Sequence, residues 1–90
     1  MRTHYTIRVY GKVQGVFFRA GAQDKAEALD ILGWVKNESD GSVCIEAEGP
    51  EEAMHEFLSW CKQGPAYAKV EKMEYKEDNP KGFVRFEVKR

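Results

Sequence analysis

Tyr5, Ile7 and Val9 alternate with Thr6, Arg8 and Tyr10, the period-two pattern of a strand that buries one face. Glycines at 11 and 15 break it. From Phe18 the spacing changes: Phe18, Ala22, Ala26 and Leu29 recur at steps of four, four and three, which predicts a helix running to about Ile31. Gly33-Trp34-Val35-Lys36-Asn37 follows as a short strand. Glu38-Ser39-Asp40-Gly41 carries an Asp-Gly turn signal, and Val43, Ile45 and Ala47 alternate out of it, so these two strands form a hairpin.

Gly49-Pro50-Glu51-Glu52 starts a second helix, with proline at the first helical position and two carboxylates complementing the dipole. Met54, Phe57, Leu58 and Cys61 supply its buried stripe, and Gly64-Pro65 stops it. Val70 to Tyr75 reads as a further strand of irregular parity. Val84, Phe86 and Val88 form a last one after the turn residues Asn79-Pro80 and Gly82. The order is strand, helix, strand, strand, helix, strand, with an extra strand near the C-terminus. It fits an α+β, ferredoxin-like split βαβ sandwich (βαββαβ), an antiparallel sheet with two helices on one face. That plan hosts unrelated functions, so the chemistry has to come from particular residues.

Ninety residues make one domain, 1–90, with a modest core that favours a shallow surface site over a deep pocket. The net charge of -1 supplies no bulk attraction to nucleic acid or acidic membranes, so any phosphate affinity is local. No apolar run reaches the roughly eighteen residues of a membrane span and no secretory signal is read before the first strand, which favours a cytoplasmic location as the expectation. Cys44 and Cys61 show neither metal spacing nor a C-x-x-C pair. Two reduced thiols are expected, with a disulfide between them left open by the sequence.

The connection from first strand to first helix is Gly11-Lys12-Val13-Gln14-Gly15-Val16-Phe17-Phe18-Arg19. A glycine-punctuated loop entering a helix presents unpaired main-chain N–H groups and the positive dipole end together, a combination that suits a phosphate. Arg19 can add a bidentate clamp on the same anion. No Gly-Lys-Ser/Thr follows, so this is not a Walker loop. In a split βαβ unit the first two strands run parallel with one strand between them, so the glycine loop and Asn37 leave the sheet at one edge. Two strand spacings put them roughly 10 Å apart, a gap that an arginine side chain and a phosphate can bridge. A carboxamide beside a bound phosphate both donates and accepts, and so can orient a water.

Gly11-x-Val13-Gln14-Gly15-Val16-x-Phe18-Arg19 is similar to the first signature of the acylphosphatase family. Gly33-Trp34-Val35-Lys36-Asn37-x-x-x-Gly41-x-Val43, ending in Gly49, resembles its second, at family spacing, and the similarity extends over nearly the whole chain. The resemblance implies that main-chain amides of Gln14, Gly15, Val16, Phe17, Phe18 and Arg19 cradle a phosphoryl group that the Arg19 side chain also binds. Asn37 would hold the attacking water for direct in-line displacement, with no covalent phosphoenzyme, no metal and no cofactor. The implied reaction is hydrolysis of acyl phosphates, such as acetyl phosphate, carbamoyl phosphate and 1,3-bisphosphoglycerate, to carboxylate and inorganic phosphate. Inorganic phosphate would also inhibit. Phosphoryl transfer needs positioning and charge stabilisation more than covalent chemistry, so the physics agrees. Three positions depart from the family pattern: Phe17 where many relatives have a small residue, Ala20 where a bulky one is frequent, and Asp30 where a helix-ending glycine is common.

The remaining candidates read as structural. Gln14 is expected to hydrogen-bond within its own loop, His4 and His55 to lie on the surface, and Trp34 and Trp60 to pack. Glu46 and Glu48 read as a solvated strand face, and no His, Cys or acidic set has metal-ligand spacing. Lys69, Lys72 and Lys76 are interleaved with glutamates, which argues against a nucleic-acid stripe. An alternative is a phosphate- or RNA-binding ferredoxin-like module without turnover. Tyr5 and Tyr10, on opposite parities, do not make the aromatic pattern of an RNA-binding sheet. Acylphosphatase-like domains also occur within larger carbamoyl-transfer enzymes. Ending at Arg90 with no zinc-finger or kinase-like extension, the sequence reads as a free-standing monomeric hydrolase.

Overall fold

In the computed structural model, which describes residues 2–90, the alternating segment forms strand β1 (Arg2–Lys12). Met1, which precedes that strand, lies outside the described residues. Helix α1 (Phe18–Ala28), strands β2 (Leu32–Asn37) and β3 (Val43–Pro50), helix α2 (Glu51–Gln63) and strands β4 (Lys69–Asp78) and β5 (Phe86–Lys89) follow. The sheet order is β4-β1-β3-β2-β5. β3 lies antiparallel to both β1 and β2, so those two run parallel with β3 between them, and their C-terminal ends share one edge. β4 joins β1 antiparallel; the fifth strand joins β2 in parallel, which makes the sheet mixed.

Both helices lie on one face, packed against each other, with α1 over β2 and β5 and α2 over β1, β3 and β4. Phe18, Ala22 and Ala26 of α1 and Met54, Phe57, Leu58 and Cys61 of α2 meet Ile7, Val9, Val35, Ile45 and Ala47 of the sheet. The alanines carry only a methyl, which lets α1 sit close to the strands. Trp34 and Trp60 are half-buried and His55 is exposed.

Several boundaries differ from the expected ones for physical reasons. α1 ends at Ala28 instead of near Ile31, because Asp30 turns left-handed (φ 57°). The Ile31 N–H then reaches back to the Ala26 carbonyl (2.8 Å) and the Asp30 N–H to that of Glu27 (3.2 Å), a Schellman closure with Ile31 buried beneath it. Pro50 is still extended (φ -59°, ψ 144°), so it ends β3 and precedes the helix that Glu51 and Glu52 begin. The irregular parity of β4 is a bulge. The register against β1 shifts between Tyr10 and Gly11, so Met73 faces Val9 while Val70 faces Gly11. Val84 is 80% exposed and outside β5, whose only buried side chain is Phe86.

Two expectations are overturned. His4 is fully buried instead of lying on the surface, and Glu48, expected on a solvated face, is fully buried beside it; Glu46 is half-buried. β4 and β5 occupy opposite edges of the sheet, so the chain between them must cross it, and that crossing covers the outer face here. The main-chain N–H groups of Lys81, Gly82 and Phe83 donate to the Glu48 carboxylate at 2.7, 2.9 and 2.9 Å, and Arg2 Nη1 adds a fourth donor at 3.0 Å. His4 Nδ1 lies 2.9 Å from Glu48 Oε1 and Nε2 lies 3.1 Å from Glu46 Oε1, with the ring stacked on Phe83.

Burial by itself would raise the Glu48 carboxyl. The Lys81 N–H, the His4 ring and the N–H groups of Phe83 and Gly82 outweigh it and hold the group down at about 2, against an ordinary 4.5. A carboxyl lowered on folding contributes stability that is complete above its unfolded value and fades as pH falls through its folded one. The contribution is about 3 kcal/mol. Urea unfolding across pH 2 to 7 should therefore show Glu48→Gln markedly less stable than wild type above about pH 4.5, with the gap closing toward pH 2. A gap that stays constant with pH would remove the role assigned to the charge.

Candidate active site

Between β1 and α1 the sequence alternates buried anchors with exposed backbone. Val13 and Val16 sink into the core, while Gly15 and Phe17 stand in solvent. Gly15 adopts φ 73°, and a Cβ there would meet nothing, so its requirement is one of conformation and not of space. Phe17 adopts φ 67° and is 73% exposed, although a side chain in this region costs about 1–2 kcal/mol. These paired left-handed turns bring the chain into α1 without a capping side chain.

Among the described residues no main-chain or side-chain acceptor takes the N–H groups of Gln14 through Ala20; the first to be satisfied is Gly21, bonded to the Phe17 carbonyl at 3.0 Å. The first turn of α1 carries no acidic side chain, whereas that of α2 carries Glu51 and Glu52. Identical dipole ends are thus treated differently: α2 is complemented by its own carboxylates and α1 is left open to an external anion.

Arg19 projects from that same first turn, half-buried. Its Nη1 donates to the Lys89 carbonyl at 3.0 Å, and among the described residues no carboxylate pairs with it. The carbonyl comes from the end of β5, where Lys89 Nζ also lies 4.8 Å from the centre of the Trp34 ring. Asn37 ends β2, and its Oδ1 is buried with no hydrogen-bond partner among the described residues. An orphaned buried acceptor costs about 1–3 kcal/mol unless something donates to it. Gly33 lets β2 sit where it does: a Cβ at this position would fall 1.8 Å from the Glu46 carbonyl oxygen and push β2 off β3.

Val13, Gly15, Phe17, Phe18, Arg19 and Asn37 border one open cleft of about 610 Å³, together with Ala20, Gln23, Val88 and Arg90. Two of the residues singled out from the sequence do not reach it with their side chains. Val16 is buried in the core. Gln14 does not bond within its own loop: its Nε2 donates to the Glu38 carbonyl (2.7 Å) and the Ser42 carbonyl (2.9 Å), tying the glycine loop to the hairpin that follows Asn37. Gln23, one helical turn beyond Arg19, was open to discovery from its i+4 spacing. Its Nε2 donates to the Phe86 carbonyl at 3.3 Å. Val88 and the Lys89 carbonyl carried no sequence signal, because nothing in the sequence says which strand β5 pairs with.

Among the described residues no group of three or more His, Cys, Asp or Glu side chains is placed to hold a metal ion. Cys44 and Cys61 are both free and buried, and burial pushes both thiols up. Among the described residues no helix is long and apolar enough to cross a membrane.

Residues 5–88 match the family model described as Acylphosphatase. An acylphosphatase of Natronomonas pharaonis is 42% identical over 90 residues, covering 100% of this chain and 96% of the relative. One from Gloeobacter violaceus is 42% identical with coverage of 100% and 95%. Among solved structures, acylphosphatase from Bacillus subtilis superposes with a TM-score of 0.95 at 41% identity, each chain covered in full. Full-length HypF in a phosphate- and nucleotide-bound form contains a similar unit, with a TM-score of 0.93 at 26% identity, but this chain spans only 12% of it.

Proposed function

Since the chain belongs to the acylphosphatase family and is an enzyme of acyl phosphate hydrolysis, we propose that the free amides of residues 14–19, the Arg19 guanidinium and the Asn37 carboxamide carry out that reaction. The transferred phosphoryl group enters the ring of N–H donors with its charge toward the open end of α1. Arg19 adds charge-assisted bonds to the same oxygens, worth about 1.5–3 kcal/mol each. Asn37 Oδ1 accepts a hydrogen bond from the attacking water and so turns a lone pair of the water oxygen toward phosphorus. The water oxygen forms its bond to phosphorus as the bond to the anhydride oxygen breaks, and the products are carboxylate, inorganic phosphate and a proton. A carboxylate leaves without help from a strong acid, and little beyond positioning and charge stabilisation is asked of the protein.

One observation carries this reading: donors without acceptors and an acceptor without a donor meet around the same cleft. The whole stretch 1–90 acts as a single domain and a monomer on a small-molecule substrate. Its free thiols favour the reducing environment of the cytoplasm. The test is phosphate release from acetyl phosphate with a chelator present, titrated with inorganic phosphate. Competitive inhibition is expected, because the donors recognise the phosphoryl group itself. Hydrolysis that inorganic phosphate leaves untouched would put the reaction elsewhere on the molecule.

A further inference from the structure

The cleft is roomier than a phosphoryl group requires, and lies within the ~300–1,000 Å³ of sites that enclose whole small molecules. Its lining divides by chemistry. The loop amides, Arg19 and Asn37, with Gln23 and Arg90 beside them, are polar; Phe17 and Val88 are the exposed apolar side chains, set over the buried Val13 and Phe18, and Ala20 adds only a methyl. Phe17 and Val88 are 73% and 40% exposed, two of the few large apolar side chains this fold leaves in solvent. They come from the glycine loop and from β5, yet border the same cavity. Phe17 is moreover held there by a left-handed backbone that only glycine adopts without strain.

An acyl phosphate has the same division, a dianion joined through one bridging oxygen to a carbonyl and its substituent. With the phosphoryl group among the amides, so short a bridge keeps the substituent inside the cleft, against whatever lining remains. We infer that Phe17 and Val88 form a subsite for the apolar substituent of the acyl group, so that this enzyme favours aromatic acyl phosphates over acetyl phosphate beyond their intrinsic reactivity. The inference rests on the phosphoryl site proposed above. An aromatic substituent covers Phe17 and Val88 from water and gains a ring-to-ring contact, whereas an acetyl methyl is too small to reach both.

The experiment compares kcat/KM for benzoyl phosphate and acetyl phosphate in wild type, Phe17→Gly and Val88→Thr. Both substrates present the same phosphoryl group, so their ratio cancels any damage to phosphoryl binding. The benzoyl-to-acetyl ratio is expected to fall about five- to tenfold in Phe17→Gly and about two- to threefold in Val88→Thr. Val88→Thr nearly preserves shape at an exposed position, so it decides the matter if the loop variant does not fold. A ratio that is unchanged in the folded variants, or that rises because Phe17 had been in the way, overturns the subsite. A wild-type protein that hydrolyses neither substrate, or hydrolyses them without inhibition by inorganic phosphate, instead sinks the phosphoryl site, and the subsite falls with it.

Discussion

Arg19→Ala is expected to lower kcat/KM for acetyl phosphate by about 10³- to 10⁵-fold, the range associated with a single arginine that stabilises a phosphoryl transition state. The magnitude follows from the cleft's composition. The loop amides bring partial charges, whereas Arg19 brings a full one from the same helix turn, with no carboxylate among the described residues to share it; Arg90, which also borders the cleft, is the terminal residue beyond β5. As the bond to the leaving group breaks, charge moves over the phosphoryl oxygens, and a fixed guanidinium meets it without reorganising solvent. Arg19→Lys should recover only a small part of the loss, because an ammonium cannot form the planar two-point contact. Folding should barely change, since the one hydrogen bond removed is the exposed one to the Lys89 carbonyl. Steady-state kinetics alongside urea denaturation tests both halves. Near-normal turnover in a folded Arg19→Ala protein would empty the site of its main charge.

Asn37→Ala is expected to lower kcat by about 10²- to 10³-fold, the scale seen when one preorganised polar group is taken from a transition state. Its second signature lies in stability. Asn37 Oδ1 is buried without a partner, so deleting it relieves a desolvated acceptor instead of breaking a bond. The variant should therefore be as stable as wild type or slightly more so, while being catalytically poor. A residue kept for packing would show the opposite pattern, lost stability with retained rate, and thermal unfolding measured beside kcat separates the two.

The parts of this molecule that were legible in the sequence are those whose information is local. Tyr5, Ile7 and Val9 alternate on their own strand, and Met54, Phe57, Leu58 and Cys61 stripe their own helix, so each element announces its buried face. The edge that brings Arg19 and Asn37 to one cleft follows from chain order alone, because a strand, helix, strand unit leaves its two parallel strands open at the same end. What stayed hidden depends on partners far along the chain. His4 and Glu48 sit on what alternation reads as the wet face, and only residues 81–83 crossing above them make that place dry. Val70 and Met73 disagree in parity because of a bulge, which a strict period-two template cannot contain. Val88 joins the cleft through the parallel pairing of β5 with β2, and a four-residue strand has too few side chains to encode its neighbour.

β4 pairs with β1 along one side only, so its other side offers unclaimed main-chain groups to any passing extended chain. Apart from Tyr75, its exposed positions are charged, Lys69, Glu71, Lys72, Glu74, Lys76, Glu77 and Asp78, a mixture of signs that must be stripped of water before another strand could zip onto it. The bulge bends the same margin out of the flat shape that stacking needs. At the far margin β5 is too short to template much growth. A sheet with two open rims thereby resists polymerising through either of them, and crowded, concentrated solutions should leave the protein dispersed.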